Sequence, residues 1–152
     1  MKNLACGCPG SQVRTIEKTE TAETVPTGRL ASELRQWPTQ LHLVPPSAPY
    51  LRQAHLLIAA DCTPFAYAEF HRDFIKGRVL VNACPKLDDT SDYVDKLAAM
   101  IGQNEVRSVT VAIMEVPCCR GLALMARQAI EQSGRDVQLD IAVIGVDGER
   151  RS

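Results

Sequence analysis

The sequence predicts an α/β fold: a single Rossmann-like or flavodoxin-like three-layer sandwich around a mostly parallel sheet of about five strands. Short apolar runs rich in Val, Ile and Leu alternate with amphipathic stretches along most of the chain. Several of these runs are apolar almost throughout, which is typical of parallel strands that are covered on both faces. Because parallel strands need crossover connections and helices supply them, the alternation indicates consecutive βαβ units.

Five apolar runs are the predicted strands, and helical spacing of apolar residues predicts four helices. The strands cover residues 40–44, 55–60, 78–83, 108–116 and 138–146. The helices cover residues 30–37, 64–76, 90 or 91 to 103, and 121–133. Pro38, Gly77 and Gly134 supply helix stops, and Thr90 or Ser91 supplies an N-cap.

The chain of 152 residues is long enough for one compact domain and, at 45% hydrophobic residues, for a sizeable core. Residues 11–27 are polar, rich in Thr and Glu, and lack a sustained apolar period, so they predict a linker or extended arm. We therefore divide the chain into an N-terminal arm, 1–37, which carries Cys6 and Cys8, and an α/β domain, 38–152.

The charge is nearly balanced, with 17 basic and 18 acidic residues. The sequence therefore has no electrostatic footprint for nucleic acid or for an anionic membrane. No segment reaches the roughly 20 apolar residues that span a bilayer, and the first residues lack the apolar run of a signal peptide. We expect a cytoplasmic protein, in which six cysteines favour metal binding or redox chemistry over a disulfide framework.

Three consecutive predicted strands end in cysteine. Cys62 follows the second strand, Cys84 follows the third, and the adjacent pair Cys118 and Cys119 follows the fourth. The carboxyl ends of parallel strands lie on one edge of a sheet, where open α/β folds bind their ligands. The fold would therefore gather four thiols at this edge, which favours a metal or cluster site over inert core cysteines.

Four converging thiolates hold zinc in a tetrahedral site or hold an iron–sulfur cluster. Structural zinc sites usually take cysteine pairs separated by two to four residues, whereas Cys6 and Cys8 are separated by one residue. An iron–sulfur cluster is wider than a single zinc ion, so ligands that come singly from separate strands suit a cluster better. We therefore expect an iron–sulfur cluster, 4Fe-4S or a less common type, with zinc as the alternative.

The predicted surroundings of this edge fit an anionic centre. Helices that begin after Cys62, Cys84 and Cys119 would aim their N-terminal dipoles at it, which lowers the thiol pKa values. Lys86 and Arg120 lie close in sequence to these cysteines and would offset more of the negative charge.

Three segments of the chain resemble a group of bacterial and archaeal iron–sulfur proteins described as ferredoxins or cluster-binding oxidoreductases. These segments are residues 60–67, 83–89 and 114–119. Relatives in that group carry an N-terminal two-cluster ferredoxin module before a domain like this one. The resemblance implies a cluster and electron transfer, without a known substrate. This chain lacks the Cys-x2-Cys-x2-Cys-x3-Cys run, so we expect the electron donor to be a separate protein such as a ferredoxin.

The leading hypothesis is an iron–sulfur redox protein that transfers electrons. The four strand-end cysteines are its expected ligands. Cys6 and Cys8 are additional ligands if the arm folds over the edge, and otherwise form a separate redox or partner-shared thiol pair. One alternative is an enzyme whose cluster leaves an iron open to a small molecule, and another is a zinc-stabilised binding module. The sequence leaves the cluster type, the redox potential, the substrate and the oligomeric state open, a homodimer included.

Overall fold

The computed structural model describes residues 9–17 and 28–152. Cys6 and Cys8, the predicted additional ligands, lie outside the described residues. Within these ranges two short strands pair with each other, and four longer strands form the main sheet. The strands and α-helices are β1 (Arg14–Thr15), β2 (Gln36–Trp37), β3 (His55–Ala60), α1 (Thr63–Ala66), β4 (Val79–Ala83), α2 (Tyr93–Gln103), β5 (Ser108–Met114), α3 (Arg120–Ser133) and β6 (Gln138–Ile144).

The main sheet is parallel throughout, with the strand order β4-β3-β5-β6. From β3 the chain steps outward to β4 and then crosses back to β5 on the other side of β3. The direction of the connections therefore reverses between β3 and β5. In open α/β sheets such a reversal marks the crevice at which ligands bind. The α/β fold class is confirmed, with four of the five predicted strands in the sheet.

The two central strands, β3 and β5, are buried on both faces, as their unbroken apolar sequences predicted. Leu56, Leu57 and Ile58 of β3 and Val109 and Val111 of β5 have no exposed surface. Burying one such side chain contributes roughly 1.5–3 kcal/mol. Helices α2 and α3 pack against each other, and α3 also packs on β5. This core fixes the positions at which the strands end.

The predicted strand at residues 40–44 is wrong. Gln40 alone makes a parallel bridge, to Asn82 of β4. The next residues turn, because the N–H groups of Leu43 and Val44 both donate to the Gln40 carbonyl. The apolar character of this run is explained by packing, since Leu41 and Val44 have no exposed surface.

The predicted helix at residues 30–37 is also wrong. This segment is extended and ends in β2, which pairs antiparallel with β1. Leu30, the first residue of the expected apolar face, is 80% exposed. Leu34, the middle residue of that face, still packs against the core, but it does so from a segment without helical structure.

The predicted helix at residues 64–76 is broken. It contains the four-residue α1 and a π-helical turn, His71–Ile75, with Tyr67 in extended backbone between them. Phe70 and Phe74 still pack as expected from their spacing, because their rings stack with centroids 5.1 Å apart.

The remaining two helices agree with the prediction at their C-terminal ends. α2 ends at Gln103 and begins at Tyr93, slightly after the predicted cap. α3 is followed by Gly134, whose φ of 70° is the left-handed conformation that favours glycine after a helix. In the described part of the chain no helix combines the length and the apolar character needed to cross a membrane.

The segment that leads into the domain covers the outer edge of β4. Gln36 Nε2 donates to the Leu80 carbonyl over 2.6 Å. The Asn82 N–H donates to the Thr39 carbonyl, and the Asn82 carbonyl accepts from the Leu41 N–H, both over 2.9 Å. An uncovered edge would offer unpaired backbone groups to other chains. These contacts close the edge of the sheet next to β4.

Candidate functional site

The carboxyl ends of β3 and β4 place Cys62 and Cys84 at the same edge of the sheet. Ala60 and Ala83, the last residues of these strands, pair with each other. The Asp61 N–H then donates to the Ala83 carbonyl over 3.1 Å. Both cysteines therefore leave the sheet side by side. Cys62 is exposed and Cys84 is half-buried.

The same kind of turn follows both of these cysteines. The Cys62 carbonyl accepts a hydrogen bond from the N–H of Phe65, and the Cys84 carbonyl accepts one from the N–H of Leu87, each over 3.2 Å. Each turn also contains one proline, which holds φ near about −65°. The two loops therefore have defined shapes, and each presents a thiol and a large apolar side chain.

A hydrogen-bond network holds the loop of Cys84. The Cys84 N–H donates to Asp88 Oδ2 over 3.0 Å, and the Tyr93 hydroxyl at the start of α2 donates to the same oxygen over 2.7 Å. Burial, and then this hydrogen bond, raise the pKa of Tyr93. The Asp88 carboxylate therefore joins the cysteine loop to α2.

The adjacent cysteines follow β5 in a short 3₁₀ turn, Pro117–Cys119, which leads directly into α3. Cys118 is exposed, whereas Cys119 is 6% exposed and belongs to the hydrophobic core. A 3₁₀ turn has three residues per turn, so neighbouring side chains point in different directions. One sulfur of the pair therefore faces solvent and the other faces the interior.

Cys62 and Cys118 both lie close enough to Cys119 to affect its thiol. Burial raises the pKa of the Cys119 thiol, a backbone hydrogen bond at Met114 opposes this shift, and the sulfurs of Cys118 and Cys62 raise the pKa further. The predicted lowering of the thiol pKa by helix dipoles is therefore wrong for Cys119. Burial of the thiol outweighs the field of the helix.

The predicted convergence of three helix N-termini is also wrong. α1, after Cys62, has four residues, and Cys84 is followed by a turn rather than by a helix. α3 is the one longer helix that begins beside a cysteine in the described ranges. The loop of Cys84 nevertheless packs on α3, because Pro85 Cβ lies 3.7 Å from the position that a Cβ on Gly121 would take.

The four strand-end cysteines are the residues of this edge that could hold a metal ion or a cluster. The four cysteines are free thiols and lie at one edge of the sheet. Among the described residues no group of three or more His, Cys, Asp or Glu side chains is placed to hold one metal ion.

Sequence reasoning missed the C-terminal turn that flanks this site. Arg151 Nε lies 3.2 Å from a carboxylate oxygen of Glu115, directly after β5, and Arg151 Nη2 lies 2.8 Å from Asp147. Gly148 has a φ of 85° and lies against α1, since a Cβ there would be 2.8 Å from the Ala66 carbonyl oxygen. The Asp-Gly dipeptide at 147–148 is a turn signal that indicated this feature.

A separate cleft of about 490 Å³ lies between the extended segment at residues 30–33 and the residues after α1. None of the four cysteines lines it. His71 in this cleft accepts a hydrogen bond from the Glu33 N–H over 3.1 Å through Nδ1, which is a structural role. The edge of the sheet that carries the cysteines is not enclosed in this way, because the thiols of Cys62 and Cys118 are exposed on the surface.

The comparisons with known proteins agree with the architecture. The Rossmann-like domain family matches residues 48–150, a range that contains the four described cysteines. An uncharacterized protein of Archaeoglobus fulgidus is 31% identical over 116 residues, which cover 76% of this chain and 81% of that protein. No solved structure matches the chain. The matched range includes the whole parallel sheet, and the chain therefore belongs to the Rossmann-like domain family.

Proposed function

We propose that the chain is an iron–sulfur cluster-binding redox protein that exchanges electrons with a separate redox protein such as a ferredoxin. The ligands are Cys62, Cys84, Cys118 and Cys119, and the cluster is of the 4Fe-4S or a less common type. The observation that carries the proposal is that three parallel strand ends deliver free thiols to one edge of the sheet. The resemblance of these segments to ferredoxin-like oxidoreductases supports it.

The protein would bury one side of a cluster at this edge and leave the other side exposed to solvent. Cys119 lies in the core, whereas Cys62 and Cys118 face solvent. When bound, a cluster supplies one-electron redox chemistry at the edge of the sheet. The N–H groups at the start of α3 and the side chains of Lys86 and Arg120 would stabilise its negative charge.

Loading of this site requires the thiols to lose their protons. Burial raises the pKa of Cys119, so this thiol stays protonated at neutral pH in the metal-free protein. Cysteine ligands bind as thiolates, and metal binding therefore releases protons. We expect assembly of the cluster to become more favourable as the pH rises from 7 toward the pKa of Cys119.

Cys6 and Cys8 are proposed as additional ligands from the sequence alone. The described chain before β1 forms a 3₁₀ turn at Pro9–Ser11, and both cysteines lie outside the described residues.

Anaerobic purification tests the proposal. The protein is expected to be brown and to contain iron and acid-labile sulfide, and serine at any of the four strand-end cysteines should lower the iron content. Colourless protein with stoichiometric zinc would overturn the proposal in favour of a zinc-stabilised binding module, which should unfold on metal removal without any redox signal.

A second candidate is an enzyme whose cluster acts on a small molecule at an open iron. The exposure of Cys62 and Cys118 favours it, since a cluster between them would be accessible. The double variant Cys6→Ser/Cys8→Ser separates the two candidates. A changed spectrum of the reduced protein indicates that the arm completes the ligand set of a carrier. If the spectrum is unchanged and the cluster has fewer protein ligands than irons, the result supports the second candidate, an enzyme with an open iron.

A further inference from the structure

Three of the four strand-end cysteines are held by the structure that immediately follows them. Cys118 and Cys119 belong to the 3₁₀ turn that continues directly into α3. Cys62 lies immediately before α1, and the hydroxyl of the buried Thr63 donates to the Ala60 carbonyl at the end of β3 over 2.7 Å. Contacts that are local in sequence therefore fix these three positions.

The position of Cys84 depends instead on contacts with two helices. Turns and irregular backbone follow this cysteine, and the next helix, α2, begins at Tyr93. The Tyr93 hydroxyl and the Cys84 N–H donate to the same oxygen of Asp88, and Pro85 lies against α3 at Gly121. Because α2 and α3 also pack against each other, these contacts fix Cys84 relative to the cysteine pair that precedes α3.

Asp88 binds both polar groups of the Cys84 backbone. Its carboxylate accepts from the Cys84 N–H over 3.0 Å, and its own N–H donates to the Cys84 carbonyl over 2.9 Å. Hydrogen bonds to an ionised carboxylate are roughly twice as strong as those between neutral groups. The half-buried Asp88 side chain is therefore the main restraint that joins the Cys84 backbone to α2.

The neighbouring Asp89 provides a natural comparison. It is exposed, and its carboxylate accepts from the Ser91 N–H over 3.1 Å, within the turn that leads into α2. Two adjacent carboxylates of equal charge therefore have different roles, because the first binds the cysteine loop and the second binds its own turn.

We propose that Asp88 is a positioning residue for the ligand Cys84, and that Tyr93 supports it by holding the carboxylate against α2. Without this restraint, binding of a cluster would first have to order the loop, which costs conformational entropy. The identity of the bound group rests on the proposed function, whereas the restraint on Cys84 rests on the hydrogen bonds.

The first test measures the rate at which N-ethylmaleimide alkylates each cysteine of the metal-free full chain, resolved by mass spectrometry. Asp88→Ala should raise the rate at Cys84 about tenfold, because the loop opens more often when the bonds to the carboxylate are lost. Tyr93→Phe removes one of these bonds and should raise the rate about threefold. The exposed Cys62 and the buried Cys119 should react within about twofold of their wild-type rates, which shows that each variant is folded.

Two control variants separate hydrogen bonding from charge. Asp89→Ala removes an equal charge one residue away and should leave the Cys84 rate within about twofold of the wild type. Asp88→Asn keeps an acceptor oxygen of the same shape and should restore most of the restraint. The proposal is overturned if Asp88→Asn reacts as fast as Asp88→Ala, because charge would then govern the reactivity. Equal rates in Asp88→Ala and Asp89→Ala would also overturn it.

The second test measures the iron content of the anaerobically purified protein. Asp88→Ala should contain at least twofold less iron than the wild type, because residues that orient a metal ligand affect metal affinity strongly. Asp89→Ala should contain as much iron as the wild type. Unchanged iron in Asp88→Ala, despite faster alkylation of Cys84, would overturn the positioning role. A wild type without iron would refute the proposed function alone, and alkylation would then decide whether Asp88 restrains Cys84.

Discussion

The two edges of the parallel sheet differ in the side chains that they leave exposed to solvent. At the amino edge, polar groups bind one another: His55 Nδ1 lies 2.7 Å from Ser108 Oγ, Arg107 Nη2 donates to Gln53 Oε1 over 3.0 Å, and the Gln53 N–H donates to the Asn104 carbonyl over 2.7 Å. At the carboxyl edge, two thiols, two cations and three large apolar side chains face solvent. The apolar ones are Phe65, Leu87 and Val146.

This difference distinguishes residues that support the fold from residues that are free to bind. A network whose donors and acceptors are satisfied stabilises the ends of the strands and leaves little for a ligand. The carboxyl edge is held by backbone hydrogen bonds and by Asp88, which leaves its thiols free. Substitutions at the two edges should therefore have different consequences, and three pairs of substitutions test this.

The largest effect is expected for cluster content. Cys62→Ser should lose most of the iron of the anaerobically purified protein, because a serine hydroxyl replaces a thiolate ligand. His55→Gln, at the start of the same strand, should keep the wild-type iron content. Iron and sulfide analysis of both variants is the measurement. Equal iron in both would remove Cys62 from the ligand set.

A large effect on stability is expected for Gly148→Ala. Its φ of 85° is left-handed, and a Cβ there would lie 2.8 Å from the Ala66 carbonyl oxygen, so strain and a displaced backbone should together cost about 3 kcal/mol. Gly77, at the amino edge, has a φ of 75° with nothing within 4 Å of its Cβ position. Gly77→Ala should cost about 1 kcal/mol. Urea unfolding measures the free energy of unfolding of both variants. Equal losses of stability would show that the turn around Gly148 is not packed tightly against α1.

A smaller effect with a distinct pH dependence is expected for Tyr93→Phe. At neutral pH the variant should lose about 1.5 kcal/mol, because Asp88 loses a hydrogen bond. Burial, followed by this hydrogen bond, raises the pKa of Tyr93. A raised pKa in the folded state stabilises the protein below the unfolded value of about 10, and the contribution is lost as the pH rises above it.

The difference in stability between the wild type and Tyr93→Phe should therefore narrow above about pH 10. Denaturant unfolding between pH 7 and pH 11 is the measurement. A difference that stays constant over this range would mean that Tyr93 ionises equally in both states.

The smallest effect is expected for Tyr50→Phe. The Tyr50 hydroxyl is buried and has no hydrogen-bond partner among the described residues, and burial raises its pKa to about 12. Its removal should change stability by less than about 0.5 kcal/mol at neutral pH. Between about pH 10 and 12 the variant should be the more stable protein, because the wild type loses stability as its unfolded tyrosine ionises. A loss as large as that of Tyr93→Phe would indicate a partner for this hydroxyl.

The sheet and the gathering of the cysteines could be predicted from the sequence because both depend on local patterns and on general topology. Apolar runs identified β3, β4, β5 and β6, and a parallel arrangement then placed Cys62 and Cys84 at one edge. The unequal burial of Cys118 and Cys119 could not be predicted, since it depends on the turn between β5 and α3. The contact of Arg151 with Glu115 joins distant parts of the chain and leaves no local signal.

Local pattern also failed where packing decided the structure. Leu30 and Trp37 have helical spacing, but both are exposed, so a helix would bury little more apolar surface than the Leu34 side chain already buries without one. The raised pKa of the Cys119 thiol also results from packing that the local sequence pattern does not specify. The sequence shows that a helix begins beside this thiol, but it does not show that the sulfur is buried in the folded protein.

The segment along the outer edge of β4 determines how far the chain can be shortened. A shorter chain that begins at Pro38 would lose the Gln36 side chain that occupies the Leu80 carbonyl, together with the β1–β2 pair. Thr39 and Leu41 would still bind Asn82, but the uncovered part of β4 around Leu80 could then pair with another molecule. Such a chain should aggregate on concentration even though its core is complete, so the residues before the domain act as a solubility element of the fold.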